Sequence, residues 1–308
     1  MTGTIPDPAR ARRGLVVFLA LIPLLVALPL TVRAHRGGPR HPRVDFACLV
    51  ALVWAPALAS VIARRIFRED FSDVSLGRGA AHRVRAYTLA FAVPLAVGAL
   101  AYGIAWSAGL ARFVLPDAAP WRDAPALLRL AGFGASNLVI GLPRWIFLAL
   151  GEEIGWRGYL LPRLLQSKLP RPVLLSALVW GAWHVPSVLW GSYPAGSNRG
   201  LSALVILVTL GAFAYVLARL RLETGSLWPA VAAHAAWNSV ILDSFDGATG
   251  RLAGSTLIGA GVGTIWTRET GLLVAASSLL CAAWVSRGTW EVRLRPGDAP
   301  FDLRASAR

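Results

Sequence analysis

Long apolar runs dominate the chain, most of them free of charge and separated by short polar stretches. They fall at residues 14–32, 46–63, 87–111, 137–156, 173–190, 201–218, 227–243 and 271–286. A hydrocarbon core about 30 Å thick is crossed by roughly 20 such residues in a helix. A water-soluble helix would interrupt those runs with polar residues at helical period, and they are not so interrupted. The pattern therefore predicts an all-α fold, a polytopic transmembrane helix bundle of about eight spans. The fourth run is irregular because it contains Pro143 and Arg144. The last is short and follows a glycine-rich stretch, 254–266, which is expected to dip into the membrane without crossing. No internal repeat or low-complexity linker interrupts the chain. Residues 1–308 thus read as a single membrane domain, with N-terminal spans over 14–111 and a motif-bearing core over 127–245.

Composition strengthens this picture. Only 15% of the residues are charged and the mean hydropathy is +0.56, whereas a soluble domain carries about 25% charged residues. The first run has 19 apolar positions, more than the 7–15 of a signal-peptide core, which predicts retention as a first membrane helix. The net charge is +15, but the arginines lie in the connections rather than on one soluble face, so no nucleic-acid partner is implied. With the N-terminus cytoplasmic, 19 of the 31 Lys and Arg residues fall in inside segments and 10 in outside ones. That bias places a multi-pass protein in the cell (plasma) membrane with both termini cytoplasmic. The two cysteines, Cys48 and Cys281, sit in apolar runs and form no CxxC pair, which argues against redox chemistry or a cysteine metal site.

Ionisable groups in a span cost at least about 2.5 kcal/mol each, so their presence needs a reason. Glu152, Glu153 and Arg157 end the fourth run, His184 sits inside the fifth, and His234 with Asn238 lies in the seventh. Glu153 and Arg157 are four apart and share a helix face, so they can pair and leave Glu152 free. A carboxylate held in low dielectric is a candidate general base. His234 and Asn238 are one turn apart and could donate together to a developing oxyanion. Each cluster also has a plainer reading. The acids could mark an interfacial helix end with a snorkelling arginine. His184 could be a structural hydrogen bonder, and His234 with Asn238 could be interhelical glue. Three polar groups on three helices are least costly when they face one another, and a carboxylate, imidazoles and an amide around a water form a hydrolytic set.

The order Glu152-Glu153-x-x-x-Arg157, then Trp180-x-x-x-His184, then His234-x-x-x-Asn238 resembles the CPBP intramembrane proteases. These are the CAAX-type prenyl endopeptidases and their bacterial relatives, including bacteriocin-processing and immunity proteins. The stretch from Thr224 through Gly225, Ser226, Leu227, Trp228 and Pro229 to His234 is similar to the family's lead into its last motif, and the resemblance spans 150–240. It implies an intramembrane glutamic endopeptidase in which Glu152 activates a water that His184 helps to hold. His234 and Asn238 would stabilise the oxyanion, and Glu153 and Arg157 would order the site. It implies no cofactor and no metal, and a membrane-bound substrate, either a prenylated protein or a leader peptide. Trp180 replaces the usual Phe, a mild change by sequence. Val188 stands where the prenyl-protein branch carries a polar residue, usually Asn, which leaves the peptide substrate open. Two other readings remain at this point. Two His and one Glu could hold Zn²⁺, although His-Glu-x-x-His is absent and Asn is a poor zinc ligand. A non-catalytic scaffold or immunity protein, or a proton-coupled transporter, could also carry such groups.

Overall fold

A computed structural model describes residues 7–36, 41–77, 83–116, 123–190, 193, 195–250, 265–287, 291–294 and 301–302. Helix α1 is Pro8–Arg36, α2 Pro42–Ile66 and α3 Arg83–Ser107. Then α4 (Ala126–Ser136), α5 (Leu142–Gly155) and α6 (Leu161–Gln166) run on through π-turns at Asn137–Gly141 and Trp156–Leu160 as one helix, Ala126–Gln166. They are followed by α7 (Pro172–Leu189), α8 (Arg199–Thr224), α9 (Trp228–Trp237) with its π-turn Asn238–Phe245, and α10 (Leu272–Val285). Two short antiparallel pairs add the only strands among the described residues. One joins β1 (Arg112–Phe113) to β2 (Thr249–Gly250), the other β3 (Glu291–Val292) to β4 (Phe301–Asp302).

The eight apolar runs correspond to eight helical stretches of an all-α bundle. Among the described residues, six helices are long and apolar enough to cross a membrane. The α9 stretch is diluted by His234, Asn238 and Asp243, and α10, with 14 residues, rises only about 21 Å. The fourth span differs from the expected 137–156: the helix is 41 residues long. Gly151, Gly155 and Pro162 do not end it, because π-turns absorb the irregular hydrogen bonding and neighbouring helices brace it. The glycine-rich stretch 254–266 lies largely outside the described residues.

Two features position the interior. First, α5 lies hard against α2. A Cβ on Gly151 would stand 2.7 Å from the Trp54 ring, and one on Gly155 would stand 2.7 Å from the Pro56 carbonyl oxygen. Small residues four apart let two membrane helices approach this closely. Second, one end of the bundle is tied by buried arginines. Arg64 and Arg163 share Asp73, at 2.7 and 2.5 Å, and Arg163 also binds Glu69 at 2.7 Å. Arg221 donates to the Asp73 and Leu294 carbonyls, both at 2.8 Å, while Arg12 reaches the Ser167 carbonyl at 3.2 Å. This network gathers the N-terminal end of α1 and the C-terminal ends of α2, α6 and α8 onto one side.

Candidate functional site

Glu152 and Glu153 lie on α5 just past the contact with α2. Successive residues turn by about 100° around a helix, so with Gly151 against α2 the two carboxylates point in different interior directions. Both are buried, as is Arg157. Glu153 is the organiser: its Oε1 accepts from Arg157 Nη1 at 2.9 Å and faces His234 Nδ1 at 2.8 Å. A carboxylate only accepts, so His234 carries its proton on Nδ1 toward Glu153. Glu152 is left out of that cluster.

Trp180, on α7, is what engages Glu152. Its indole N–H donates to Glu152 Oε2 at 2.8 Å, while its backbone carbonyl accepts from His184 Nδ1 at 2.9 Å. The proton on Nδ1 leaves Nε2 of a neutral His184 as an acceptor. Both imidazoles meet the Trp180 ring edge-on at centroid distances of 5.4 Å. The Arg157 guanidinium lies over the same ring at 4.3 Å. The exchange of Phe for Trp, mild by sequence, is not mild in chemistry, because a phenyl ring has no N–H to give. Val188 is fully buried in the hydrophobic core and is not part of the cavity wall.

His234 and Asn238 reach this centre because the start of α9 is pinned. Helix α8 stops at Gly225, whose φ of 64° favours a residue without a side chain. Ser226 Oγ then donates to the Gly77 carbonyl at 2.7 Å, the Leu227 N–H to the Ser75 carbonyl at 2.9 Å, and the Trp228 indole to the Leu76 carbonyl at 2.8 Å. Asn238 opens the π-turn and its amide makes no hydrogen bond to another described residue.

Glu152, His184, His234 and Asn238 line one interior cavity of about 500 Å³ with Trp180, within the usual range for small-ligand sites. Glu153 and Arg157 stand behind that wall. The apolar side is supplied by Val26 and Leu30 of α1 and Leu49, Leu52 and Val53 of α2. The sequence reading missed Arg33, Tyr193, Trp237, Asp246, Arg268 and Glu269, which also line the cavity. Asp246, Arg268 and Glu269 lie between or beyond the apolar runs, where ionisable residues raise no alarm. Tyr102 donates to Asp246, and Arg268 approaches its other oxygen at 3.7 Å. Burial nonetheless pushes the Asp246 carboxyl up to about 6. Burial also raises Glu269, against hydrogen bonds from Tyr193 and Trp237. Among the described residues no three His, Cys, Asp or Glu side chains stand close enough to hold a metal ion.

A polytopic helix bundle with a carboxylate, two imidazoles and an amide around one interior cavity defines a membrane protein with a site held inside its bundle. Over residues 134–240 the chain matches the family model described as type II CAAX prenyl endopeptidase Rce1-like. That segment, which contains every motif residue, is similar to the CPBP/CAAX membrane proteases, as the motifs implied. Helices α1–α3 lie outside the match. No curated protein matches the chain.

Proposed function

We propose that the protein is an intramembrane endopeptidase that cleaves a peptide bond of a membrane-associated substrate with a water activated by Glu152. The observation that carries this reading is the division of labour between the two adjacent carboxylates. Glu153 is committed to Arg157 and His234, whereas Glu152 faces the cavity with a single neutral donor on one oxygen. Glu152 takes a proton from water as the oxygen attacks the carbonyl carbon, and the Nε2 acceptor of His184 orients that water. The resulting oxyanion receives hydrogen bonds from His234 and the Asn238 amide. His234 can donate from Nε2 only as an imidazolium, because its Nδ1 proton is given to Glu153, and the Glu153 charge supports that state. The C–N bond then breaks and the proton on Glu152 passes to the leaving amine, which regenerates the carboxylate.

The substrate class is a membrane-bound peptide, either a prenylated protein or a leader peptide. The protein lies in the plasma membrane with both termini cytoplasmic. The gathering of arginines at the end shared by the start of α1 and the ends of α2, α6 and α8 supports that orientation. The test is cleavage of a peptide library in proteoliposomes beside Glu152→Gln. The variant should lose cleavage and keep the wild-type melting profile; turnover that persists in a folded Glu152→Gln protein removes the mechanism.

A further inference from the structure

Glu269 is a buried carboxylate to which no described cation is hydrogen-bonded. It sits in the short segment before α10, is 3% exposed, and lines the cavity that contains Glu152. Its two described partners are neutral: the Tyr193 hydroxyl donates to one oxygen and the Trp237 indole to the other. The adjacent Arg268 turns to Asp246 instead. Arg33, the other arginine on the cavity wall, is held by Asp45 at 2.9 Å. The wall therefore presents two carboxylates, Glu152 and Glu269, against the single imidazolium of His234, whose hydrogen bond goes to Glu153 behind the wall. Hydrogen bonds from neutral donors hold the Glu269 carboxylate in position but do not balance its charge, and such a charge is costly away from water.

We propose that Glu269, Tyr193 and Trp237 form a subsite for a positively charged group of the substrate, an ammonium or guanidinium near the cleaved bond. The inference rests on the protease reading above and names the side chain that such a substrate presents. Three observations fit a cation. The carboxylate supplies the opposite charge, and Tyr193 and Trp237, the latter with one face stacked on Phe213, are aromatic rings of the kind that attract cations when water is excluded. The third is distance: the Tyr193 ring lies 6.0 Å from the His184 ring, centroid to centroid. At about 3.3–3.6 Å per extended residue, the subsite takes a side chain one or two residues from the scissile carbonyl.

The test uses full-length protein in liposomes and pairs of membrane-anchored peptides that differ only by lysine or its uncharged analogue norleucine, placed in turn on each side of the cleaved bond. Wild-type protein should prefer lysine at one position by about 30-fold in kcat/KM, and the preference should fall to near unity in Glu269→Gln. No lysine preference at any position, or the same preference in the variant, overturns the subsite while leaving the protease reading intact. In parallel, quenching of tryptophan fluorescence compares dodecylammonium with dodecanol. If wild-type protein cleaves none of the peptides, the protease reading fails. Tighter dodecylammonium binding to wild type than to Glu269→Gln still upholds the subsite, and equal binding overturns it. The wild-type preference needs no variant, so misfolding of Glu269→Gln cannot mask the answer.

Discussion

Replacing Glu153 with Gln separates what holds the site together from what the site does. Gln keeps the shape, and its carbonyl oxygen can still accept from Arg157 and His234. It removes the only formal charge that the described residues hydrogen-bond to Arg157, whose side chain is 1% exposed. Breaking a buried pair while leaving the other ion in place costs roughly 3–5 kcal/mol. The Trp180 face at 4.3 Å already contacts Arg157 in both forms, so it offsets none of the difference. At roughly 2 °C per kcal/mol for a chain of this size, the melting midpoint should fall by about 6–10 °C. Removing the stranded charge as well, in Glu153→Gln/Arg157→Met, should recover most of that loss. Activity should not recover. His234 would still have an acceptor for Nδ1 and Glu152 nearby, but it would lose the negative charge hydrogen-bonded to it, which weakens an oxyanion donor worth up to about 100–1,000-fold in kcat. The assay is a thermal melt in detergent beside turnover of a cleaved peptide, for wild type, both single variants and the double. A Glu153→Gln protein that melts with wild type refutes the assignment of Glu153 as the organising charge. A double variant with restored kcat refutes the role given to His234.

Three further outcomes are expected. Gly155→Ala would place a methyl group 2.7 Å from the Pro56 carbonyl oxygen, forcing α2 outward at a cost of roughly 1–3 kcal/mol, and thermal melts check it. Asp246 has a folded pKa of about 6 against 3.8, so the folded form takes up a proton between those values and stability falls as pH rises through them; melts across that window should flatten in Asp246→Asn. EDTA should leave peptide cleavage unchanged, whereas loss of activity restored by added zinc would replace the Glu152 water with a metal-bound one.

How much of this was legible beforehand depends on whether a residue stands out from its local surroundings. Glu152, His184 and His234 are conspicuous because each interrupts an apolar run, and hydropathy makes such interruptions visible. The i, i+4 relation gave the Glu153–Arg157 pair for the same local reason. The contact between Glu153 and His234 spans 81 positions and follows from packing between α5 and α9, which no local pattern encodes. Trp180 shows the limit more sharply. As one of 13 tryptophans in an apolar run it reads as core, and only the position of its N–H against Glu152 gives it a polar role. The extension of the fourth helix past 156 was hidden because glycine and proline normally signal an end, whereas here Gly155 is a contact surface for α2.

The same packing explains how buried ionisable groups can be held together at membrane depth. From Glu152 to Arg163 the helix rises roughly 16 Å, which puts the carboxylate well inside a core about 30 Å thick. A charge there survives only if its neighbours are fixed. Arg163, bound to Glu69 and Asp73, holds the far end of that helix, and Gly151 and Gly155 hold the near side against α2. The carboxylate pair is therefore fixed from both directions along one rigid element. His184 and His234 arrive on α7 and α9, which reach the centre through Trp180 and Glu153 respectively. Each half of the centre thus has its own anchor: Trp180 ties Glu152 to His184, and Glu153 ties His234 to Arg157. The cavity between them is where the proposed reaction would bring a water and a peptide carbonyl together. A displacement of α7 against α5 would part Glu152 from Trp180 and His184, while a displacement of α9 would part His234 and Asn238 from Glu153. The reaction proposed here needs both contacts at once, so the packing of α5, α7 and α9, rather than any one side chain, sets whether the centre is competent.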